Sequence, residues 1–130
     1  MARLPLAEAK AKRLRALSTS GGVIAALAID QRQSLRRMMA DAAGVLPEQI
    51  QDSQLSEFKT AVTNALTFHA SAVLLDPEYG IPASYARAPG CDLLLAYEMD
   101  GYDNPRPHQD AGLTAAPFRA PPARPGRRRN

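Results

Sequence analysis

The chain has 130 residues, of which 45% are hydrophobic and 22% charged, a balance typical of one soluble globular domain. Its longest apolar run, VIAALAI, is far shorter than the roughly 20 residues that a membrane-spanning helix needs, and the N-terminus has no apolar signal segment. A single cysteine, Cys91, excludes an internal disulfide and a multi-cysteine metal site, so the sequence predicts a cytoplasmic protein.

The positive charge is concentrated at the C-terminal end of the chain. Residues 1–104 hold 10 Lys and Arg against 12 Asp and Glu, whereas residues 105–130 hold 6 Arg against one acid, Asp110. Residues 105–130 are also rich in Pro, Arg and Ala, and they carry too few large apolar side chains to offset the entropy lost on ordering. The sequence therefore predicts a folded part, residues 1–104, and a disordered tail, residues 105–130.

The folded part starts with a predicted helix over residues 5–18, which begins at a proline and ends before two glycines. GVIAALAID follows as an apolar run without alternation, the pattern of a strand covered on both faces in a parallel sheet. Residues 33–42 then predict a second helix that closes at Gly44.

The clearest helix pattern is SQLSEFKTAVTNALTFHA, residues 53–70, with Asp52 or Ser53 placed to cap it. One side of this segment carries mostly apolar residues at helical spacing: Leu55, Phe58, Val62, Leu66 and His69. This pattern predicts a stripe that is buried against the sheet.

Two further apolar runs each end in an acid, as the first predicted strand does. Ala72–Leu75 is followed by Asp76 and a Pro/Gly turn, and Leu93–Ala96 is followed within two residues by Glu98. A short helix is predicted between them, around residues 82–87. Helices that separate apolar strands in this order predict an α/β fold with right-handed crossovers.

Acids at the ends of parallel strands indicate where a site would form. In a (β/α)8 barrel or a doubly wound sheet, the loops at the C-terminal ends of the strands build the active site. The predicted site residues are therefore Asp30, Gln31, Arg32, Asp76 and Glu98. Each acid also has a simpler interpretation: Asp30 can cap the next helix, Asp76 can belong to an Asp-Pro turn, and Glu98 can be solvated.

Three segments, GVIAALAIDQRQSLRRMM, ASAVLLDPEYGIPA and LLLAYEMDGYDN, resemble in order and spacing the N-terminal part of the tagatose 1,6-diphosphate aldolase family, whose close relatives include sulfosugar-phosphate aldolases. The resemblance runs from about residue 13 to residue 104. It implies a class I aldolase of carbohydrate catabolism on a TIM barrel, which cleaves D-tagatose 1,6-bisphosphate into dihydroxyacetone phosphate and glyceraldehyde 3-phosphate without a metal or a cofactor. In that chemistry a lysine forms a Schiff base with the substrate ketone, and a carboxylate transfers protons.

The resemblance also implies roles for the strand-end residues. Asp30 matches the catalytic aspartate after the first strand, which handles protons and orients the lysine, and Gln31 matches a neighbour that contacts the substrate. By their position at the same or an equivalent strand end, Arg32, Asp76 and Glu98 are expected to bind the substrate as well.

The chain has three lysines, Lys10, Lys12 and Lys59, and none of them follows a predicted strand. We therefore expect an incomplete barrel, the first three βα units, that lacks the Schiff-base lysine and the acid/base glutamate and is inactive by itself. Residues 105–130 have the composition of a GC-rich gene read in a shifted frame, so we expect them to be out-of-frame sequence. Translation of the downstream DNA in the other two frames tests this expectation.

The terminal Arg127–Arg129 run supports a rival function. Arginines on a flexible tail attract phosphate backbones, so a small α/β domain with a nucleic-acid-binding tail is the alternative. The tail lacks the interleaved aromatic side chains on which bases stack, which argues against this alternative. Neither the oligomeric state nor the exact sugar substrate follows from the sequence.

Overall fold

A computed structural model of the chain describes residues 5–96. These residues form α1 (Pro5–Leu17), β1 (Ala26–Ala28), α2 (Gln33–Ala43), α3 (Asp52–Leu66), β2 (Ala72–Leu75), α4 (Ile81–Ser84) and β3 (Asp92–Leu95). Short 3-10 helices occupy Pro47–Gln49 and Thr67–His69. None of the described helices is both long and apolar enough to cross a membrane. Glu98 and the tail predicted over residues 105–130 lie outside the described residues.

The three strands form one parallel sheet in the order β1-β2-β3. In the register of the sheet, Ala72 of β2 lies between Ala26 of β1 and Asp92 of β3. Helices α2 and α3 connect β1 to β2, and α4 connects β2 to β3. The predicted α/β arrangement of parallel strands separated by helices is confirmed.

The hydrophobic core lies around β2, the central strand. Its buried members come from β2, from α4 and from the residues next to β1 and β3: Ile29, Val73, Leu75, Ala83 and Cys91. The edge strand β1 differs, because Ala26 and Ala28 are exposed. The prediction that this strand is covered on both faces is therefore wrong for these two residues. Within the described part of the chain, β1 has a strand neighbour on one side only.

The boundaries of the first two helices follow the sequence signals closely. The predicted helix 5–18 is α1, and α2 ends at Gly44 as predicted. Gly44 has a φ of 67°, in the left-handed region that favours glycine, and its N–H bonds to the carbonyls of Ala40 and Asp41. The short helix predicted around residues 82–87 is α4, which starts one residue earlier and ends at Ser84.

The buried face of α3 is not the predicted one. The fully buried residues of the helix are Leu55, Lys59 and Thr63, spaced four residues apart. Of the predicted stripe, Phe58 is 41% exposed and Leu66 is 47% exposed. Val62 is half-buried, and His69 in the following 3-10 helix is exposed. The predicted stripe is thus wrong at three of its positions, because a buried polar side chain with partners on the strands sets the face of the helix.

The start of α3 also differs from the prediction, since the N-cap is Gln51 rather than Asp52 or Ser53. The Gln54 side chain accepts a hydrogen bond from the Gln51 N–H at 2.7 Å. The Asp52 carboxylate is engaged elsewhere, in an ion pair with Arg36 at 2.5 Å.

A neutral hydrogen-bond bridge holds the N-terminal end of the sheet. The hydroxyl of Ser71, the residue before β2, donates to the Leu17 carbonyl at 2.7 Å and accepts from the Ala25 N–H at 2.9 Å. The Ser71 N–H in turn donates to the Ala25 carbonyl at 2.9 Å. The end of α1, the approach to β1 and the start of β2 therefore meet at one side chain.

Candidate functional site

The C-terminal ends of β1 and β2 lie side by side at one edge of the sheet, because the two strands are parallel and in register. Asp76 directly follows β2 and is fully buried. Asp30 comes two residues after β1 and is partly exposed, and Gln31 is exposed. These are the strand ends at which the sequence predicts site residues.

Both oxygens of the Asp76 carboxylate accept hydrogen bonds from protein donors. Its Oδ1 accepts a hydrogen bond from the Lys59 ammonium. Its Oδ2 accepts from the backbone N–H groups of Glu78 at 3.1 Å and Tyr79 at 2.7 Å. Asp76 therefore closes the turn after β2 and ties that turn to α3.

Lys59 reaches this edge of the sheet from the middle of α3, and its side chain is fully buried. Its Nζ donates to the Ile29 carbonyl at 2.9 Å, to the Gln31 carbonyl at 2.6 Å and to Asp76 Oδ1. A protonated lysine has three N–H donors, so these three bonds use all of them. The ammonium thus connects the chain after β1 to the chain after β2.

Arg32 adds a second cation to the same place and is 3% exposed. Its Nη1 donates to Glu78 Oε1 at 2.8 Å, and its Nε lies 3.9 Å from Asp76 Oδ2. We call Arg32, Lys59, Asp76 and Glu78 the strand-end ion cluster. It contains two cations and two anions, so its formal charges cancel.

Asp30 and Gln31 lie beside this cluster without joining it through their side chains. Neither side chain makes a hydrogen bond or an ion pair with residues 5–96. Gln31 is tied to the cluster only through its backbone carbonyl, which Lys59 holds. The carboxylate of Asp30 and the amide of Gln31 are therefore available to a bound molecule as far as the described residues are concerned.

The turn after β2 leaves no space for a side chain at Gly80. A Cβ there would lie 2.6 Å from the Asp76 carbonyl oxygen and 2.8 Å from the Leu75 Cβ. The Gly80 N–H donates to the same Asp76 carbonyl at 3.1 Å. Glycine thus permits the close backbone approach that holds Asp76 in place.

Lys59 is the site residue that sequence reasoning missed. It lies in mid-helix, far along the chain from either strand end, so its position did not indicate contact with them. One signal was available: Lys59 lies four residues after Leu55, a member of the predicted buried stripe, and therefore on the same side of the helix as Leu55. A lysine on such a face needs an anionic partner, and Asp76 provides it.

The described residues also include one thiol and several side chains of the kinds that bind metals. Burial raises the pKa of the Cys91 thiol to about 11, so this cysteine is protonated and unreactive at neutral pH. Within residues 5–96, no three His, Cys, Asp or Glu side chains come together as a possible metal-binding group.

The chain is similar in sequence to proteins of a known family. The family model described as DeoC/LacD family aldolase matches residues 24–119, a range that includes both strand ends. The chain is 49% identical over 94 residues to the tagatose 1,6-diphosphate aldolase of Staphylococcus epidermidis (ATCC 35984), which covers 72% of this chain. It is 47% identical over 112 residues to tagatose 1,6-diphosphate aldolase 2 of Enterococcus faecalis, and this match covers 86% of the chain. It is 52% identical over 87 residues to the tagatose 1,6-diphosphate aldolase of Staphylococcus haemolyticus, and this match covers 67% of the chain.

The chain matches only a part of each of these relatives. The matched regions make up 28%, 33% and 26% of the three proteins, respectively. The family model nevertheless matches well over half of this chain. A parallel sheet with carboxylates after its strands agrees with that match. The chain belongs to the DeoC/LacD family of aldolases.

Proposed function

We propose that the chain builds the first part of a class I aldolase site for the cleavage of D-tagatose 1,6-bisphosphate into dihydroxyacetone phosphate and glyceraldehyde 3-phosphate. The observation that carries the proposal is the identity of 47–52% to proteins named tagatose 1,6-diphosphate aldolase. The three parallel strands are, in this proposal, the first three βα units of a TIM barrel. The buried free thiol of Cys91 is compatible with the reducing cytoplasm in which we place the enzyme.

Asp30 is the carboxylate that we assign to proton transfer. It follows the first strand, it is partly exposed, and its side chain has no partner within the described residues. A carboxylate in this state can accept the hydroxyl proton as the carbon–carbon bond breaks and return it later. The exposed amide of Gln31 is placed next to it to hydrogen-bond a substrate hydroxyl.

The other predicted substrate-binding residues have different surroundings. Both oxygens of Asp76 already accept protein hydrogen bonds, and Arg32 is paired with Glu78. We propose that these two residues lie beside the substrate with their charges balanced inside the protein. Glu98 is outside the described residues and stays a predicted substrate-binding residue.

The Schiff-base lysine is, in this proposal, not one of the three lysines of the chain. Lys10 and Lys12 are exposed on α1, and Lys59 is buried with all three donors in use. Incubation of the chain with dihydroxyacetone phosphate and borohydride, followed by peptide mass spectrometry, tests this directly. We expect no added mass on any lysine, and an adduct on Lys59 would overturn the assignment.

A segment exchange tests the aldolase function itself. Residues 24–96 of this chain replace the matching segment of the Staphylococcus haemolyticus relative, and cleavage of tagatose 1,6-bisphosphate is measured. We expect the hybrid to retain activity, because the two sequences are 52% identical over 87 residues. Asp30→Asn in the hybrid should lower kcat by roughly 10²- to 10⁴-fold, the usual contribution of a general acid–base group.

The matched control is Asp41→Asn, which changes an exposed carboxylate on α2. This variant should cleave the substrate at the rate of the unmodified hybrid. A folded hybrid without activity would contradict the proposed function, and full activity of Asp30→Asn would contradict the role of Asp30.

A further inference from the structure

We propose that Lys59 is a positioning residue, which fixes the backbone on both sides of Asp30 and thereby sets the direction of the Asp30 carboxylate. The inference rests on the proposed function, since it concerns the residue to which proton transfer is assigned. It goes beyond that function because Lys59 makes no hydrogen bond or ion pair with the Asp30 side chain and, in this proposal, does not contact the substrate.

The two carbonyls that Lys59 binds are those that flank Asp30. The Ile29 carbonyl accepts at 2.9 Å and the Gln31 carbonyl at 2.6 Å, both from the same nitrogen atom. One ammonium therefore fixes the orientation of the peptide units before and after Asp30. With the backbone on both sides fixed, the Asp30 side chain can point only in the staggered χ1 directions that this backbone conformation allows.

No other hydrogen bond in the described residues restrains this stretch in the same way. The last bond that continues the ladder between β1 and β2 runs from the Ile29 N–H to the Leu74 carbonyl, at 3.0 Å. Beyond it, the N–H groups of Asp30 and Gln31 make no hydrogen bond within residues 5–96. Lys59 thus continues the connection between the two strands at the point where the ladder stops.

The position of the ammonium is itself well determined. Its third bond goes to Asp76, whose other oxygen is held by the N–H groups of Glu78 and Tyr79. The side chain of Lys59 is fully buried, so water does not compete for its donors. Lys59 restrains Asp30 through the backbone, and the Asp30 carboxylate has no hydrogen-bond or ion-pair partner within residues 5–96.

Backbone order parameters from ¹⁵N relaxation of the whole 130-residue chain test the proposal. The test variant combines Lys59→Met with Asp76→Asn, which removes the ammonium without leaving a buried carboxylate unpaired. We expect the N–H order parameters of Asp30 and Gln31 to fall from about 0.85, typical of rigid backbone, to below about 0.6. Those of Val73 and Leu75 in the core should stay unchanged, which separates local positioning from a general loss of structure.

Lys12→Met is the control, since it removes an exposed lysine from α1 and should leave every order parameter in place. A folded test variant in which Asp30 stays as rigid as in the wild type would overturn the proposal. If the test variant does not fold, the wild type decides: an order parameter of Asp30 below about 0.6 overturns the proposal, and one near 0.85 with a slowly exchanging Lys59 ammonium resonance supports it. These measurements need no substrate, so failure of the segment exchange would refute the aldolase function without altering their outcome.

Discussion

The Lys59 ammonium and the Asp76 carboxylate form a fully buried ion pair between the middle of α3 and the residue that follows β2. Both groups give up hydration to make it, and this cost is offset because the other two Lys59 donors and the second Asp76 oxygen also find partners. The pair therefore connects the position of a helix to the geometry of two strand ends.

The first prediction concerns the asymmetry of this pair. Lys59→Met alone leaves a buried carboxylate without its ammonium and should lower the free energy of unfolding by about 3–5 kcal/mol. Adding Asp76→Asn removes the unpaired charge, so the double variant should be more stable than Lys59→Met. Urea denaturation followed by circular dichroism measures both differences.

A surface pair provides the comparison for that prediction. Asp52→Asn breaks the ion pair with Arg36, in which the Asp52 side chain is 72% exposed, and should cost at most about 1 kcal/mol. If the double variant were no more stable than Lys59→Met, charge pairing would not be the main role of Asp76.

The second prediction concerns the turn after β2. Gly80→Ala places a Cβ 2.6 Å from the Asp76 carbonyl oxygen, so the turn must open. We expect a loss of about 1–3 kcal/mol in the free energy of unfolding, the usual cost of overpacking. Gly21→Ala is the matched control, because the nearest atom to its Cβ would be 3.8 Å away. Equal stability of the two variants would show that the turn yields without cost.

The third prediction contrasts two buried threonines on neighbouring turns. The Thr67 hydroxyl accepts from the Ala88 N–H at 2.8 Å and donates to the Thr63 carbonyl at 2.6 Å, whereas the Thr63 hydroxyl has no hydrogen-bond partner in the described part of the chain. Thr67→Val leaves a buried N–H unpaired and should cost about 1–3 kcal/mol. Thr63→Val removes an unsatisfied group and should be neutral or stabilising. Thermal unfolding of both variants checks this, and the reverse order of stability would contradict it.

The fourth prediction concerns Cys91 and pH. Burial is the main cause that raises the pKa of its thiol to about 11, and the nearby Asp92 adds to it while Arg87 opposes it. The folded state thus holds this proton more tightly than the unfolded state. The resulting stabilisation is complete below the unfolded pKa, near 9, and is lost as the pH rises towards 11.

Two measurements check that prediction. Alkylation of the native protein by iodoacetamide should be slow at pH 8 and fast after denaturation. The stability of the wild type should also fall more steeply between pH 9 and pH 11 than that of Cys91→Ala. Rapid native alkylation at pH 8 would show that the thiol is reached through local opening.

The sequence predicted the positions of the strands because their signal is local, but it overestimated the length and burial of the edge strand β1. Apolar runs that end in Asp30 and Asp76 identify a parallel sheet and its C-terminal edge without further information. The face of α3 was harder to predict, because Phe58 and Leu66 are more hydrophobic than Lys59 and Thr63 and yet lie outside. Lys59 is buried because it forms an ion pair with Asp76, 17 positions further along the chain. The hydrophobicity of single residues does not reveal such a pair. In the same way, Arg32 belongs to the strand-end ion cluster because it pairs with Glu78, which lies 46 positions away.

The hydrogen bonds of the Ser71 hydroxyl affect how the protein unfolds. Its hydroxyl attaches the last turn of α1 and the approach to β1 with one oxygen atom. Release of the helix takes away the acceptor that orients this hydroxyl towards the Ala25 N–H, so the helix and the first strand should open together as one cooperative unit. A protease that cleaves at Gly21 or Gly22, between them, would act on both elements with a single cut.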